Sequence, residues 1–125
     1  DRYVKKLSVE YLLSTEDLQT QLSRATGVVF LVGTNSVRIL SAEEIIIQVE
    51  RIVERVQQDY THLNVPSTIS IISAFPCLKT TRRFPEEVEL ISNIDRYNQG
   101  LRSLSTKMRL NIIDLQITTS HLAQD

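Results

Sequence analysis

The sequence contains a single cysteine, Cys77, so no disulfide can form within the chain. That fits a reducing compartment, and a cytoplasmic protein is the expectation. Charge of one sign is not in excess: 14 basic against 15 acidic residues leave a formal net charge of −1. Tracking a phosphate backbone takes a surplus of cations, so no nucleic-acid partner is expected, and the pair Arg82-Arg83 is too short to form a basic patch. Long apolar runs are missing too. The longest, residues 28–32, falls far short of the roughly 20 residues a membrane-spanning helix needs. No stretch has the form of a signal peptide, and no Asn-x-Ser/Thr acceptor occurs. The Cys and His residues have no metal-ligand spacing, so no metal is expected.

What is present is ordinary globular material. The chain has 125 residues, 42% hydrophobic and 23% charged. A chain of this size buries one core, not two, and residues 1–125 read as a single domain without internal repeat, linker or low-complexity stretch.

Strand-like and helix-like patterns alternate along it. Residues 6–13 ("KLSVEYLL") place Leu7, Val9 and Tyr11 on one face, as in a strand. Ser14, followed by Asp17, opens a short helix with Leu18 and Leu22 on its apolar side, ending near Gly27. Residues 27–33 ("GVVFLVG") are apolar throughout with a glycine at each end, the mark of a strand covered on both faces. Val28, Val29, Phe30, Leu31 and Val32 are therefore expected in the core. Ser41 and Glu44 form a capping box, and Ile45, Val49, Ile52, Val53 and Val56 recur at helical spacing to about Tyr60. Residues 68–73 ("TISIIS") are a further short strand. Pro85 suits the first turn of a helix, with Val88, Ile91, Ile94, Tyr97, Leu101 and Leu104 as its apolar stripe and Gly100 as a weak point. Residues 110–115 ("LNIIDL") give the last strand. Short apolar strands separated by helices imply a mainly parallel sheet with right-handed crossovers. The expectation is an α/β fold, doubly wound.

In such sheets ligands bind beyond the carboxyl ends of the strands. Those ends fall at Ser14, at the loop "GTNSVR", at "SAFPCLK" and at Asp114. Gly33 closes a strand and Asn35 follows, so its amide N–H₂ can face a developing oxyanion; equally, Gly33 and Asn35 can simply make a turn.

The run "VVFLVGTNSVR" resembles the third sequence block of GDSL-type (SGNH) esterases, an apolar strand followed by Gly-x-Asn-Asp. Gly33-Thr34-Asn35-Ser36 matches at Gly and Asn, with Ser36 in place of the acid. "SAEEIIIQVERIVERVQQ", "STISIISAFP", "NIDRYNQGLRSLS" (Asn98 and Leu101 as Asn-x-x-Leu) and "LNIIDL" are similar to the family's later segments, in its order. The resemblance covers about residues 6–125. It implies a three-layer α/β/α fold of flavodoxin-like, SGNH type. It also implies carboxylic-ester hydrolysis, a small ester or lipid as substrate, and no cofactor. Asn35 then holds the oxyanion, helped by the backbone N–H of Ser14 at the second-block position, with Gly33, Thr34 and Ser36 beside the substrate. Some animal retrotransposons encode an esterase domain of this type, which makes such an element a candidate source.

The family's nucleophile sits in Gly-Asp-Ser, which is absent from the sequence. Asp125 stands where its Asp-x-x-His would begin. The expectation is a domain represented without its first strand and its closing catalytic motif, and inactive in this form. The alternative is a non-catalytic interaction or scaffold module that kept the fold, pairing with a second copy or with a complementing flanking segment. Other pairings compete less well. His121 with Ser36 or Ser73 makes a poor base–nucleophile couple, His121 reading as tail. Cys77 reads as a small buried residue, Asp114 as a turn cap, Arg82 and Arg83 as a solvated loop, and His62 as surface or a helix C-cap.

Overall fold

The computed structural model describes residues 15–31, 36–72 and 79–113. The strand expected at 6–13, the candidates Ser14, Gly33, Thr34, Asn35 and Asp125, and also Val32, Ser73, Cys77, Asp114 and His121, lie outside them. In chain order the described elements are helix α1 (Glu16–Arg24), strand β1 (Val28–Leu31) and a 3₁₀ turn (Ser36–Arg38). Helix α2 (Ala42–Asp59), a second 3₁₀ turn (Thr61–Leu63) and strand β2 (Ile69–Ile72) follow. Helix α3 (Glu87–Met108) and strand β3 (Asn111–Ile113) complete them. The three strands pair in parallel in the order β1-β2-β3. The described fold is thus α/β, with three helices and a small parallel sheet.

Each helix starts where its local chemistry allows. α2 begins at the expected capping box: Ser41 Oγ accepts from Glu44 N at 3.2 Å, and Glu44 Oε1 accepts from Ser41 N at 3.1 Å. Two of the orphan donors of a helix start are thereby satisfied. α1 differs from expectation by one residue, for Thr15 rather than Ser14 is its N-cap, its Oγ1 accepting from Leu18 N at 3.4 Å. α3 starts at Glu87 with Glu86 as cap, so Pro85 stands before the helix rather than in its first turn. The turn ahead of it is closed by Thr81, whose N–H donates to Phe84 O and whose hydroxyl oxygen accepts from Phe84 N. α3 ends on Arg109 in the left-handed region at φ 59°. Its N–H reaches Ser105 O, the αL ending usually given to glycine.

Sequential order fixes where the core lies. Right-handed crossovers from β1 to β2 and from β2 to β3 put both intervening helices on one face of the sheet, and α2 and α3 pack against each other there. Rows Val28–Ile69 and Phe30–Ile71–Ile112 point to that face. They meet Ile45, Val49, Val53 and Val56 of α2 and Leu90, Ile94, Tyr97, Leu101 and Leu104 of α3. Leu22 of α1 joins the same cluster. Side chains alternate across a strand, so Val29, Ser70 and Asn111 form a row on the opposite face.

Two expectations about the core fail here. Val29 is 59% exposed, although the run around it reads as covered on both faces. All the described helix packing is on the other side, so nothing among the described residues shields it. Val88 is 76% exposed and Leu90 takes its place in the buried stripe. At about 100° per residue Val88 falls on the face opposite Tyr97, whereas Leu90 shares Tyr97's face.

Candidate functional site

The carboxyl ends of β1 and β2 lead into loops that are fastened to each other and to the helices. Past β1, the Ser36 carbonyl accepts from Ile39 N at 3.0 Å and from Leu40 N at 2.8 Å, which closes the turn that precedes α2. Arg38 then bridges to the loop past β2: its Nε donates to Lys79 O at 2.9 Å, and its own carbonyl accepts the Thr81 hydroxyl. Arg83 reaches back to Glu44 Oε1 at 3.5 Å and lies over the Phe84 ring, 5.6 Å from its centroid.

Beneath this layer lies Asn93, fully buried on α3 and the one buried polar residue among the described residues. Its Nδ2 donates to Val37 O at 2.9 Å and to Leu40 O at 2.8 Å. Its Oδ1 accepts from Ala42 N at 2.8 Å and from Arg96 Nη2 at 3.0 Å. Two carbonyls on one side and two donors on the other fix which end of the amide is which; the flipped group would oppose like with like. All four capacities of the side chain are used. Arg96 is itself held by Glu43 Oε2 at 3.2 Å and Ser92 Oγ at 3.0 Å. One side chain thus ties the turn after β1, the start of α2 and the face of α3 into one body.

The acids of this region are structural. Glu44 sits below the usual carboxylate range because the Ser41 backbone N–H, then the Ser41 hydroxyl and the Arg83 charge, favour its ionised form. Glu43 is paired with Arg96. Among the described residues no cluster of His, Cys, Asp or Glu is arranged to hold a metal ion, and no helix is long and apolar enough to cross a membrane.

Of the oxyanion and substrate candidates, Ser36 alone is described. It opens the turn half-buried, with its carbonyl engaged as above. Asn98 is half-buried and Leu101 fully buried. Arg82 is exposed, as a solvated loop residue would be, and Arg83 is tied to Glu44. His62 behaves as a cap: exposed on its 3₁₀ turn, its Nε2 stands 3.0 Å from the carbonyl of Leu22 in the last turn of α1. It also meets Tyr60 edge-on, with ring centroids 6.3 Å apart.

Two features escaped the sequence reading. Asp59-Tyr60-Thr61-His62 has Asp-x-x-His spacing, but it lies where α2 hands over to β2, at the amino end of the sheet, and Asp59 is 3.7 Å from Arg55. It is remote from the strand ends at which this fold binds ligands. Asn93 was missed although it carries a signal: a polar residue set among Leu90, Ile94 and Tyr97 on a buried stripe must have partners.

No family model, no curated protein and no solved structure matches the chain.

Proposed function

We propose that this chain is the oxyanion-binding portion of an SGNH-type serine esterase domain, a three-layer α/β/α fold of which the described sheet is one part. The observation that carries the reading is the junction after β1. A parallel strand runs into Gly33-Thr34-Asn35, and the turn that follows at once, from Ser36, is held by a fully satisfied buried amide. An oxyanion donor works only if it is aimed before the charge develops, and a turn anchored to two helices is suited to aim one.

In this mechanism an ester carbonyl rests beside Gly33, Thr34 and Ser36. A serine hydroxyl attacks it while a histidine takes the proton. Negative charge gathers on the former carbonyl oxygen, where the Asn35 amide and the Ser14 backbone N–H donate to it. Residues 1–125 hold no Gly-Asp-Ser, so this reading takes its nucleophile and base from outside them. Ser36 in place of the family's acid leaves the amide of Asn35 available, and Ser14 in place of glycine adds a side chain at the second-block position.

The test is Asn35→Ala in the full-length protein, with turnover of a small carboxylic ester as readout. Losing one oxyanion donor lowers kcat by about 10²-fold or more with the fold intact. Unchanged kcat contradicts the assignment.

A second reading has its own observation. Val29 is 59% exposed on a sheet face it shares with Ser70 and Asn111, whereas parallel sheets are normally covered on both sides. A non-catalytic module would use that face to bind. Full-length protein that hydrolyses no ester yet self-associates at micromolar concentration favours this reading over the first.

A further inference from the structure

The esterase reading assigns Asn93 no role, yet Asn93 commits more hydrogen bonds to the turn after β1 than any other side chain described. It is fully buried, and three of its four bonds go to main-chain atoms of that turn and of the start of α2: Val37 O, Leu40 O and Ala42 N. The fourth goes to Arg96, which Glu43 of α2 holds in place. The first N–H groups of a helix have no partner within it, so the bond to Ala42 N is one that only a group from outside α2 can supply. The two carbonyls it takes, Val37 and Leu40, bracket the end of the 3₁₀ turn whose first residue is Ser36. Sliding or rotating that turn by even an ångström would break several of these bonds together.

We propose that Asn93 is a positioning residue for ester hydrolysis: it acts through the turn from Ser36 to Leu40, which it fixes and which Asn35, the donor of the esterase reading, directly precedes in the sequence. This rests on the esterase reading above. Arg96 and Glu43 form its outer support, holding Oδ1 on Ala42 N and thereby the amide's orientation. Misplacing a donor by about 1 Å is enough to lower turnover by roughly 10²-fold, so a residue acting only through the turn has a large kinetic effect.

Asn93→Asp separates this role from a general one in the core. It keeps an acceptor for Ala42 N and Arg96 and removes both donors to Val37 O and Leu40 O. The experiment is a double-mutant cycle in the full-length protein, well below its melting temperature. Asn93→Asp is expected to lower kcat by about tenfold or more with KM within about twofold. In an Asn35→Ala background the same change lowers kcat by less than about twofold, because no aimed donor is left to lose. Equal effects in both backgrounds, or no effect in either, overturn the proposal. An inactive parent protein that takes up no fluorophosphonate overturns the esterase reading instead.

A measurement on unaltered protein guards against a variant that fails to fold. The Ala42 amide is expected to exchange its hydrogen as slowly as the interior amides of α3. Exchange as fast as an unbonded helix-start amide shows that the clamp is not made, and overturns the proposal without any substitution.

Discussion

Gly100 of α3 lies so close to Ile46 of α2 that a Cβ built on it would stand 2.7 Å from Ile46 Cγ1 and 2.9 Å from Cδ1. Nothing else in the sequence explains a glycine inside a long helix. Its cost in helix propensity, about 1 kcal/mol, is exchanged for the approach of the two helices that form the core.

Gly100→Ala therefore destabilises the protein, against the usual benefit of alanine in a helix. Overpacking costs about 1–3 kcal/mol, so a net loss of ~1 kcal/mol is expected in chemical denaturation. Ile46→Ala removes both obstructing carbons, and Gly100→Ala added to it becomes neutral or stabilising. Additive losses in the two variants would show that the helices do not meet at this pair.

Asn93→Leu tests whether hydrogen bonding or packing makes Asn93 valuable. Leucine is apolar and of similar bulk, yet it leaves Val37 O, Leu40 O and Ala42 N unpaired in the interior. Each stranded group costs about 1–3 kcal/mol. A loss of roughly 3 kcal/mol or more is expected, measured by urea midpoint at constant slope. A variant as stable as the parent would mean that water or a shifted backbone satisfies the turn.

Tyr97 gives a pH dependence with a definite sign. It is fully buried, and loss of hydration pushes its phenol well above the ordinary tyrosine value. The unfolded chain ionises this group near pH 10 while the folded chain keeps it neutral. A raised folded value means that stability is complete below about pH 10 and falls as pH climbs beyond it. Tyr97→Phe should flatten the alkaline limb of a stability–pH curve. An identical limb in that variant would assign the loss to other groups.

Local signals proved legible in the sequence where both partners of an interaction lie within a few residues. The capping box of Ser41 and Glu44 and the apolar stripe of α2 are read directly from spacing, and the helix runs as expected to Asp59. Boundaries slipped where neighbours offer equivalent chemistry, as when Thr15 rather than Ser14 caps α1. The stripe of α3 was misphased at its start because Val88 and Leu90 are equally apolar and only the packing of Tyr97 chooses between them. Val29 was misplaced for a different reason: an apolar run reports that its residues tolerate burial, not which face a helix covers. The clamp at Asn93 was hidden because its partners stand some fifty positions away in the chain and are main-chain atoms, which carry no sequence mark. Of the candidate site, Ser36 is the sole member whose surroundings are described, and its neighbours Asn35, Thr34 and Gly33 rest on the motif.

The most direct test of an esterase centred on Asn35 is covalent. Full-length protein is treated with a fluorophosphonate, which captures activated serines, and its intact mass is recorded before and after. The account predicts one adduct, mapped by peptide mass to a serine outside residues 1–125. No adduct, or an adduct on a serine within residues 1–125, would contradict it.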